Sequence, residues 1–348
     1  MKKKYLNYFT ISILLIFSLT ILSGCSKDNK VTEPLSKTEL LMGTVVTVTL
    51  YDSNDEGILD KVFTKVKELE STLSINENGT LVDKINESAG IEPVKVDYDT
   101  YTVIKKGLEY AKLSNGLFDI SVGPIVKLWN IGLPEAKVPT QEEIDSRIPL
   151  VGYSDVELND EENTVFLKRQ GMMIDLGGVA KGYTADVISD ILTEEGVKSA
   201  IIDLGGNIFA HGLKVDGSTW RIGIQNPFSD RGDIIGTITV KNKSIVTSGI
   251  YERYIEKDGI KYHHILSPKT GYPYENELAG ITIISDKSSD GDALSTSVFA
   301  MGVEEGMKFV NTQEGIDAIF VTKDNKIYIT DGIRDIFKLT NTDFTLSN

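Results

Sequence analysis

The most informative segment of the sequence is Asp175-Leu-Gly-Gly-Val-Ala-Lys181-Gly-Tyr-Thr-Ala-Asp186. Its first residues are typical of a buried strand that ends in a double glycine. A helix with a lysine in its first turn is expected to follow. Glycines let a backbone approach a ligand closely, and a helix N-terminus offers free N–H groups and partial positive charge. The stretch therefore indicates a site for a phosphate or a phosphate–metal pair, with a plain structural turn as the alternative.

In the second half of the chain, the sequence predicts many strands and two helices around the corner formed by residues 175–186. The helices are expected over 180–194 and 292–313. Strands are expected near 164–169, 172–176, 200–204, 220–224, 234–240, 244–248, 251–256, 261–266, 279–285, 317–322 and 326–330. Short turns such as Lys257-Asp258-Gly259 indicate antiparallel hairpins. The motif Asp-Leu-Gly-Gly recurs at 203–206, so two glycine-ended strands are expected to floor one cleft, unless the repeat is a coincidence of a common turn.

The first half of the chain adds helices to this pattern. A β-rich run begins at Leu40, and apolar residues at helical spacing predict a helix over 57–73. A second helix is expected over 100–113 and a short one over 141–147, whereas the segment from 115 to 129 looks irregular. We therefore predict an α+β fold with mixed, largely antiparallel sheets and packed helices, in place of a plain doubly wound parallel sheet.

The N-terminal residues 1–24 are typical of a bacterial lipoprotein signal peptide. Three lysines precede an apolar run, and the segment ends in Leu22-Ser-Gly-Cys25, where Cys25 is the only cysteine of the chain. We expect cleavage before Cys25, lipidation of its thiol and a flexible tether over 25–37. The alternative is an uncleaved membrane anchor, although the apolar run is short for a membrane span.

The charge of the chain excludes some partners. The formal net charge is −15, and removal of the lysine-containing signal peptide makes it −18. Such an acidic body is a poor candidate for nucleic-acid binding. It is also not attracted to an anionic membrane surface, so the lipid must provide the anchoring. With a single cysteine, an internal disulfide or a thiolate metal site is not expected.

The segment Asp292-Ala-Leu-Ser-Thr296 carries a second candidate site. Asp292 and Thr296 lie four residues apart, so on a helix they share one face. A carboxylate and a hydroxyl near a helix start suit a hard cation such as magnesium, which fills the rest of its octahedron with water and phosphate oxygens. Ordinary N-capping by Asp290 or Asp292 is the alternative.

Two of the three histidines of the chain are adjacent, at His263 and His264. Neighbouring residues on a strand point to opposite faces, so one histidine can enter a cleft while the other faces away. Neighbours on a strand rarely chelate one metal. A cleft histidine that hydrogen-bonds a phosphate or moves a proton is the better interpretation.

Taken together, these segments resemble the ApbE family, the FAD:protein FMN transferases, over about residues 38–335. The matching motifs occur in family order: Met42-Gly-Thr44, Ser71 to Asn86, Leu117-Phe-Asp-Ile-Ser-Val-Gly-Pro124 with Leu128-Trp129, Asp175 to Asp186, Leu204-Gly-Gly-Asn207, Trp220 to Pro227, Thr247-Ser-Gly249, His263 to Gly271, and Asp292 to Thr296. The resemblance implies a two-lobed, T-fold-like catalytic domain, which we place at residues 38–340.

The resemblance also implies a role for individual residues. The implied metal ligands are the carbonyl of Gly178 and the side chains of Asp292 and Thr296, with Ser295 as a less certain neighbour. The implied flavin contacts are Met42, Leu117, Phe118, Asp119, Asp175, Lys181, His264 and Leu266, with Asn76 at a position that is often tyrosine in the family. His264 and Asp292 are the implied catalytic residues, His264 or a carboxylate near the metal being the proton acceptor.

The implied reaction is magnesium-dependent transfer of FMN from FAD to a threonine or serine hydroxyl of an exported or membrane redox protein, with release of AMP. The small side chain of Asn76 leaves the metal side open, so hydrolysis of FAD to FMN and AMP is one alternative. A non-catalytic flavin-binding lipoprotein is another. The expected location is the extracytoplasmic face of a cell membrane, with the protein held there by lipid on Cys25.

Overall fold

The computed structural model describes residues 33–347. The expected signal peptide and Cys25 lie outside the described residues. Within them, seven α-helices are found: α1 Glu56–Leu73, α2 Leu81–Glu87, α3 Tyr98–Leu113, α4 Gly123–Trp129, α5 Gln141–Arg147, α6 Ala180–Glu194 and α7 Ser288–Val310. The strands are β1 Leu35–Leu41, β2 Thr44–Leu50, β3 Val94–Lys95, β4 Val156–Asn159, β5 Thr164–Leu167, β6 Ser199–Leu204, β7 Asn207–Gly212, β8 Trp220–Gln225, β9 Ile234–Val240, β10 Lys243–Gly249, β11 Tyr254–Lys257, β12 Ile260–His263, β13 Leu278–Ser285, β14 Asp317–Thr322, β15 Lys326–Ile329, β16 Phe337–Leu339 and β17 Thr345–Leu346.

A nine-stranded sheet forms the centre of the fold, in the order β1-β2-β6-β7-β10-β13-β14-β15-β17. Its neighbouring strands are antiparallel except for the parallel pair β15–β17. Every residue of β13 is buried, as expected for a central strand covered on both faces. The α+β class with largely antiparallel sheets is thereby confirmed.

Helices cover one face of the large sheet. The buried positions of α1, such as Leu59, Val62 and Val66, recur every three or four residues and pack with β2, β6 and α6 in one apolar core. Helix α7 packs against β13 and β14 through residues such as Val298 and Phe299. The small sheet β8-β9-β16 contributes to another core on β7, β10 and β13–β15. This layering holds α6 and α7 side by side on the sheet.

Helix α7 contains a bend at Gly302, whose φ of 75° and ψ of −171° are not helical. The loop that precedes β13 satisfies the backbone groups freed by the bend. The carboxylate of Glu277 accepts a hydrogen bond from the Val303 N–H at 2.6 Å, and the Asn276 amide donates to the Phe299 carbonyl at 2.6 Å. The bend is therefore supported by specific partners.

The prediction of a strand over 172–176 is wrong. This segment is an extended loop with one isolated bridge, between Met173 and Val122. The side-chain amide of Asn86 replaces a neighbouring strand, because it accepts from the Ile174 N–H at 2.7 Å and donates to the Ile174 carbonyl at 3.2 Å. Residues 172–176 are largely apolar because they pass through a hydrophobic core, in which Ile174 is fully buried and Leu176 is nearly so.

Other boundaries also differ from those predicted. The segment 115–129 is not irregular throughout, because α4 begins at Gly123 with a proline in its first turn. Helix α7 begins at Ser288, four residues before the predicted start. Strand β1 begins at Leu35, within the predicted tether, and β17 ends at Leu346. Among residues 33–347, no helix is long and apolar enough to cross a membrane.

Candidate active site

The corner at residues 175–186 is built by local hydrogen bonds and by close packing. The Asp175 carboxylate accepts from the Gly177 N–H at 2.6 Å, which folds the chain into a tight turn. A Cβ on Gly178 would lie 2.9 Å from the Phe118 ring, so any side chain there would require the ring to move. Helix α6 then begins at Ala180 without a side-chain N-cap, and Lys181 lies in its first turn as predicted.

Asp292 on α7 joins this corner to the second Asp-Leu-Gly-Gly segment. Its carboxylate accepts from the Gly182 N–H at 2.9 Å and from the Asn207 side-chain amide at 3.1 Å. Asn207 directly follows Gly206, the last residue of the second motif. The side chain of Asp292 is only 6% exposed, and the Lys181 ammonium lies 3.6 Å from it. The two glycine motifs therefore meet at one buried carboxylate, although the first does not end a strand.

Thr296 lies one turn after Asp292 on the same face of α7. Thr296 is half-buried, and a Cβ placed on Gly178 would lie 3.7 Å from its hydroxyl. Within the described residues this hydroxyl has no hydrogen-bond partner. By contrast, the Ser295 hydroxyl lies 2.7 Å from both the Asp292 carbonyl and the Ser248 hydroxyl. Of the two hydroxyls, that of Thr296 is the one left for a ligand.

N-capping does not explain Asp290 or Asp292. The cap of α7 is Lys287, which makes no side-chain capping bond. The carboxylate of Asp186, on α6, accepts from the N–H groups of Ser288 and Ser289 at 2.7 and 3.0 Å. Burial raises the pKa of Asp186, and these N–H groups act against that rise. The capping function therefore comes from the neighbouring helix, which leaves Asp292 for the site.

The donor chemistry around Asp292 fits magnesium. Among residues 33–347, no group of three or more His, Cys, Asp or Glu side chains is arranged to hold a metal. A magnesium ion needs fewer protein ligands, since water and phosphate oxygens complete its shell. One carboxylate, the unpartnered hydroxyl of Thr296 and the nearby main chain of Gly178 are all oxygen donors of the required kind.

Several of the predicted flavin contacts lie on loops, whereas Lys181 lies on α6 and Leu266 packs in a separate apolar cluster with Ile125 and Trp129. Met42 occupies the tip of the β1–β2 hairpin with a φ of 54°, and its sulfur accepts from the Thr184 hydroxyl of α6 at 3.2 Å. The Leu117 carbonyl accepts from the Tyr274 hydroxyl at 2.8 Å. Asp119 is buried, which raises its pKa. Its carboxylate accepts hydrogen bonds from the N–H and the hydroxyl of Ser121 and from the Tyr153 N–H at 3.0 Å.

Two basic side chains of the site, Lys127 and Arg253, were not predicted from the sequence, whereas Lys181 was. Lys127, Lys181 and Arg253 all act to lower the pKa of Asp175, although burial raises it overall. The Lys127 ammonium donates to the Asn76 side-chain oxygen at 2.8 Å. The Arg253 guanidinium donates to the Gly43 carbonyl at 3.0 Å. No local sequence pattern marks Lys127 or Arg253 as a site residue, since folding alone brings them close to Asp175.

The adjacent histidines point in different directions, as predicted. The His263 ring lies 2.9 Å from the Tyr274 carbonyl and packs edge-on against Phe299. The His264 Nδ1 lies 3.3 Å from the Arg253 carbonyl. Burial lowers the pKa of His264 to about 3, and Arg253 and Lys181 act in the same direction. His264 is therefore neutral and lies on the side of the basic groups.

Comparison with known proteins gives consistent matches over most of the chain. A FAD:protein FMN transferase of Klebsiella pneumoniae (strain 342) is 40% identical over 303 residues, which cover 87% of this chain and 93% of that protein. One of Treponema pallidum (strain Nichols) is 34% identical and covers 97% of this chain and 98% of that protein. A crystal structure of an ApbE protein from Thermotoga maritima has a TM-score of 0.79 at 33% identity, covering 86% of this chain and 98% of that one.

These relatives are transferases, and the protein is an enzyme of that class. It belongs to the ApbE family, whose profile matches residues 42–320. The structure of the flavin transferase ApbE from Vibrio cholerae, at 28% identity, also has a TM-score of 0.79 and covers 87% of this chain and 99% of that one.

Proposed function

We propose that this protein transfers the FMN moiety of FAD to a threonine or serine hydroxyl of an exported or membrane redox protein, with release of AMP. The observation that carries the proposal is the convergence at Asp292 of the Lys181 ammonium, the start of α6 and the free hydroxyl of Thr296. A pyrophosphate needs positive charge and a metal held by oxygen donors. A protein that only carried flavin would not need this arrangement.

The oxygen donors define where magnesium would be held. Asp292, Thr296 and the main-chain carbonyl of Gly178 would bind the ion, which when bound supplies positive charge against the pyrophosphate. The hydroxyl of Ser295, with its two protein partners, supports the backbone of this turn. Lys181 adds a positive charge 3.6 Å from the Asp292 carboxylate.

FAD would lie along the loops that surround the metal donors. The positive charges of Lys127, Lys181 and Arg253 would offset its negative charge. Phe118 and Leu266, which are buried, and the hairpin residue Met42 would offer apolar contacts. Other expected contacts are Leu117, Asp119, Asp175 and His264. In a chain of net charge −15, this group of cations supports an anionic substrate at this corner.

The transfer step requires one proton acceptor. The acceptor oxygen forms a bond to the FMN-side phosphorus, the bond from that phosphorus to the AMP oxygen breaks, and the hydroxyl proton moves to a base. His264 suits this role because the Arg253 carbonyl can accept its Nδ1–H, which leaves Nε2 free. Burial is the main cause that lowers the pKa of His264, and an anionic pyrophosphate would offset the smaller effects of the Arg253 and Lys181 charges.

Hydrolysis of FAD to FMN and AMP is a second candidate, favoured by the geometry at Asn76. This side chain is exposed and is held by Lys127. It therefore leaves room on the metal side, where water can take the place of the acceptor hydroxyl.

The experiment incubates the soluble body from residue 33 with FAD, magnesium and a candidate acceptor protein. In-gel flavin fluorescence on the acceptor, together with AMP, is expected for transfer. Release of AMP without fluorescence on the acceptor would show that the protein hydrolyses FAD and does not transfer FMN. Flavin binding without release of AMP would contradict both transfer and hydrolysis and would indicate a non-catalytic flavin carrier.

We also propose that lipid on Cys25 anchors the protein at the extracytoplasmic side of a cell membrane. The signal-peptide pattern that ends in Leu22-Ser-Gly-Cys25 supports lipidation and export, and the acidic body supports anchoring by lipid because it is not attracted to an anionic membrane. In cell fractionation, the full chain is expected in the membrane fraction and Cys25→Ser outside it. Equal membrane content of both proteins would contradict lipid anchoring.

A further inference from the structure

Lys181 lies between two oxygen acceptors of the candidate site. Its ammonium donates to the Gly177 carbonyl at 3.1 Å and lies 3.6 Å from the carboxylate of Asp292. Gly177 directly precedes Gly178, whose carbonyl is an expected metal ligand. The ammonium therefore lies against the same oxygen-rich corner that would receive the metal.

The buried Asp292 carboxylate needs a nearby cation. A buried carboxylate is costly unless it is paired and hydrogen-bonded. Gly182 and Asn207 provide neutral donors. Among the described residues, Lys181 is the one cation within 4.0 Å of this carboxylate. Lys181 thus provides the positive charge that a bound metal would also provide.

We propose that Lys181 acts as a temporary counter-ion at Asp292 and gives up this place to the metal when FAD binds. The inference rests on the proposed function, because it assigns the pyrophosphate as the group that draws the ammonium away. The Lys181 side chain is 27% exposed and anchored by one carbonyl, so it can swing between the two positions. Gly182 and Asn207 keep the carboxylate in place during the exchange.

The exchange makes metal binding dependent on FAD. Without FAD, the ammonium repels an incoming cation at short range and lowers its affinity. With FAD bound, the ammonium would move to the pyrophosphate, which would leave the Asp292 carboxylate to hold the metal and place its positive charge beside the phosphates. Coupling between two binding sites is reciprocal, so the metal must also strengthen FAD binding. Lys181 is a positioning residue with opposite effects on the two ligands.

The test measures Mn²⁺ binding to the FAD-free protein by electron paramagnetic resonance, and FAD binding in EDTA by flavin fluorescence. Lys181→Met is expected to raise Mn²⁺ affinity at least about tenfold, since a short-range repulsion disappears, and to weaken FAD binding. Lys181→Arg keeps the charge and should bind Mn²⁺ as the wild type does. The matched control is Lys106→Met, which removes the ion pair to Asp290, a residue on the same helix as Asp292. This substitution should change neither affinity.

Unchanged or weaker Mn²⁺ binding in Lys181→Met would overturn the inference, as would an equal rise in Lys106→Met. Thermal unfolding of both variants checks that they are folded. If the wild type binds no FAD but Lys181→Met still raises Mn²⁺ affinity, the counter-ion role stands and the proposed function fails. If FAD binds and AMP is released while Mn²⁺ affinity is unchanged by the substitution, only the counter-ion role fails.

Discussion

The backbone N–H of Gly182 donates to the carboxylate of Asp292 at 2.9 Å, across 110 residues of sequence. This contact is possible because Gly182 has no side chain. A Cβ there would lie 2.3 Å from the Ser288 carbonyl and 2.7 Å from the Asp292 Cβ. The glycine therefore lets α6 and α7 approach until the start of one helix and a carboxylate of the other form one site.

The role of Asp292 as a metal ligand predicts a specific loss of activity. Asp292→Ala should abolish magnesium-dependent AMP release, because the variant lacks the carboxylate that is proposed to bind the metal. Asp290→Ala is the matched control, since Asp290 lies on the same helix but pairs with Lys106 at 2.9 Å. It should keep at least about half of the activity. Full activity in Asp292→Ala would exclude the ligand role.

The sequence predicted those parts of the site that depend on local pattern. Helix α6 was expected over 180–194, and it spans Ala180–Glu194. The short helix expected over 141–147 is found as Gln141–Arg147, where a capping box at Thr140 marks its start. The shared face of Asp292 and Thr296 followed from helical spacing alone. These features are encoded within a few residues of each other.

Features that depend on distant residues were not predictable in this way. Residues 172–176 carry the apolar pattern of a strand, but their hydrogen-bond partner is the side chain of Asn86. The cap of α7 comes from Asp186, 102 residues earlier. Lys127 and Arg253 meet Asp175 only in the folded chain. A single sequence gives no signal for such pairings, since each partner alone looks like an ordinary surface residue.

Removal of the α7 cap should destabilise the protein. Asp186→Ala leaves the N–H groups of Ser288 and Ser289 without their acceptor, which should lower the free energy of unfolding by about 1–2 kcal/mol. Chemical unfolding with urea measures this change. Asp190→Ala provides the control, because Asp190 is exposed on the same helix and lies 3.8 Å from Lys287. Equal destabilisation by both substitutions would contradict the capping role.

His263 should make the protein less stable in mild acid. Burial lowers the pKa of His263 from 6.5 to about 4, so the unfolded chain takes up a proton before the folded protein does. Its stabilising contribution is complete above pH 6.5 and is lost as the pH falls from 6.5 towards 4. Between pH 7 and pH 5 the loss should reach about 1–2 kcal/mol for this group.

The measurement compares urea unfolding at pH 7 and pH 5 for the wild type and His263→Gln. Glutamine can still donate to the Tyr274 carbonyl but does not titrate. The buried carboxyls of Asp119, Asp175 and Asp186 have raised pKa values and act in the opposite direction. These carboxyls and His264, whose pKa burial also lowers, are present in both proteins, so the difference between the two pH dependences reports on His263. An identical pH dependence in both would contradict the assignment.

Asn86 should support the corner that carries Asp175. Asn86→Ala removes both bonds to Ile174 and leaves a buried N–H and a carbonyl without partners, at a cost of about 1–3 kcal/mol. Asn86→Asp keeps the acceptor and loses the donor, so its stability should be intermediate. Because Ile174 is adjacent to Asp175, we expect Asn86→Ala also to weaken FAD binding, measured by flavin fluorescence under conditions where the variant is folded. The same loss of stability without any change in FAD affinity would show that the Asn86 clamp supports the core but not the site.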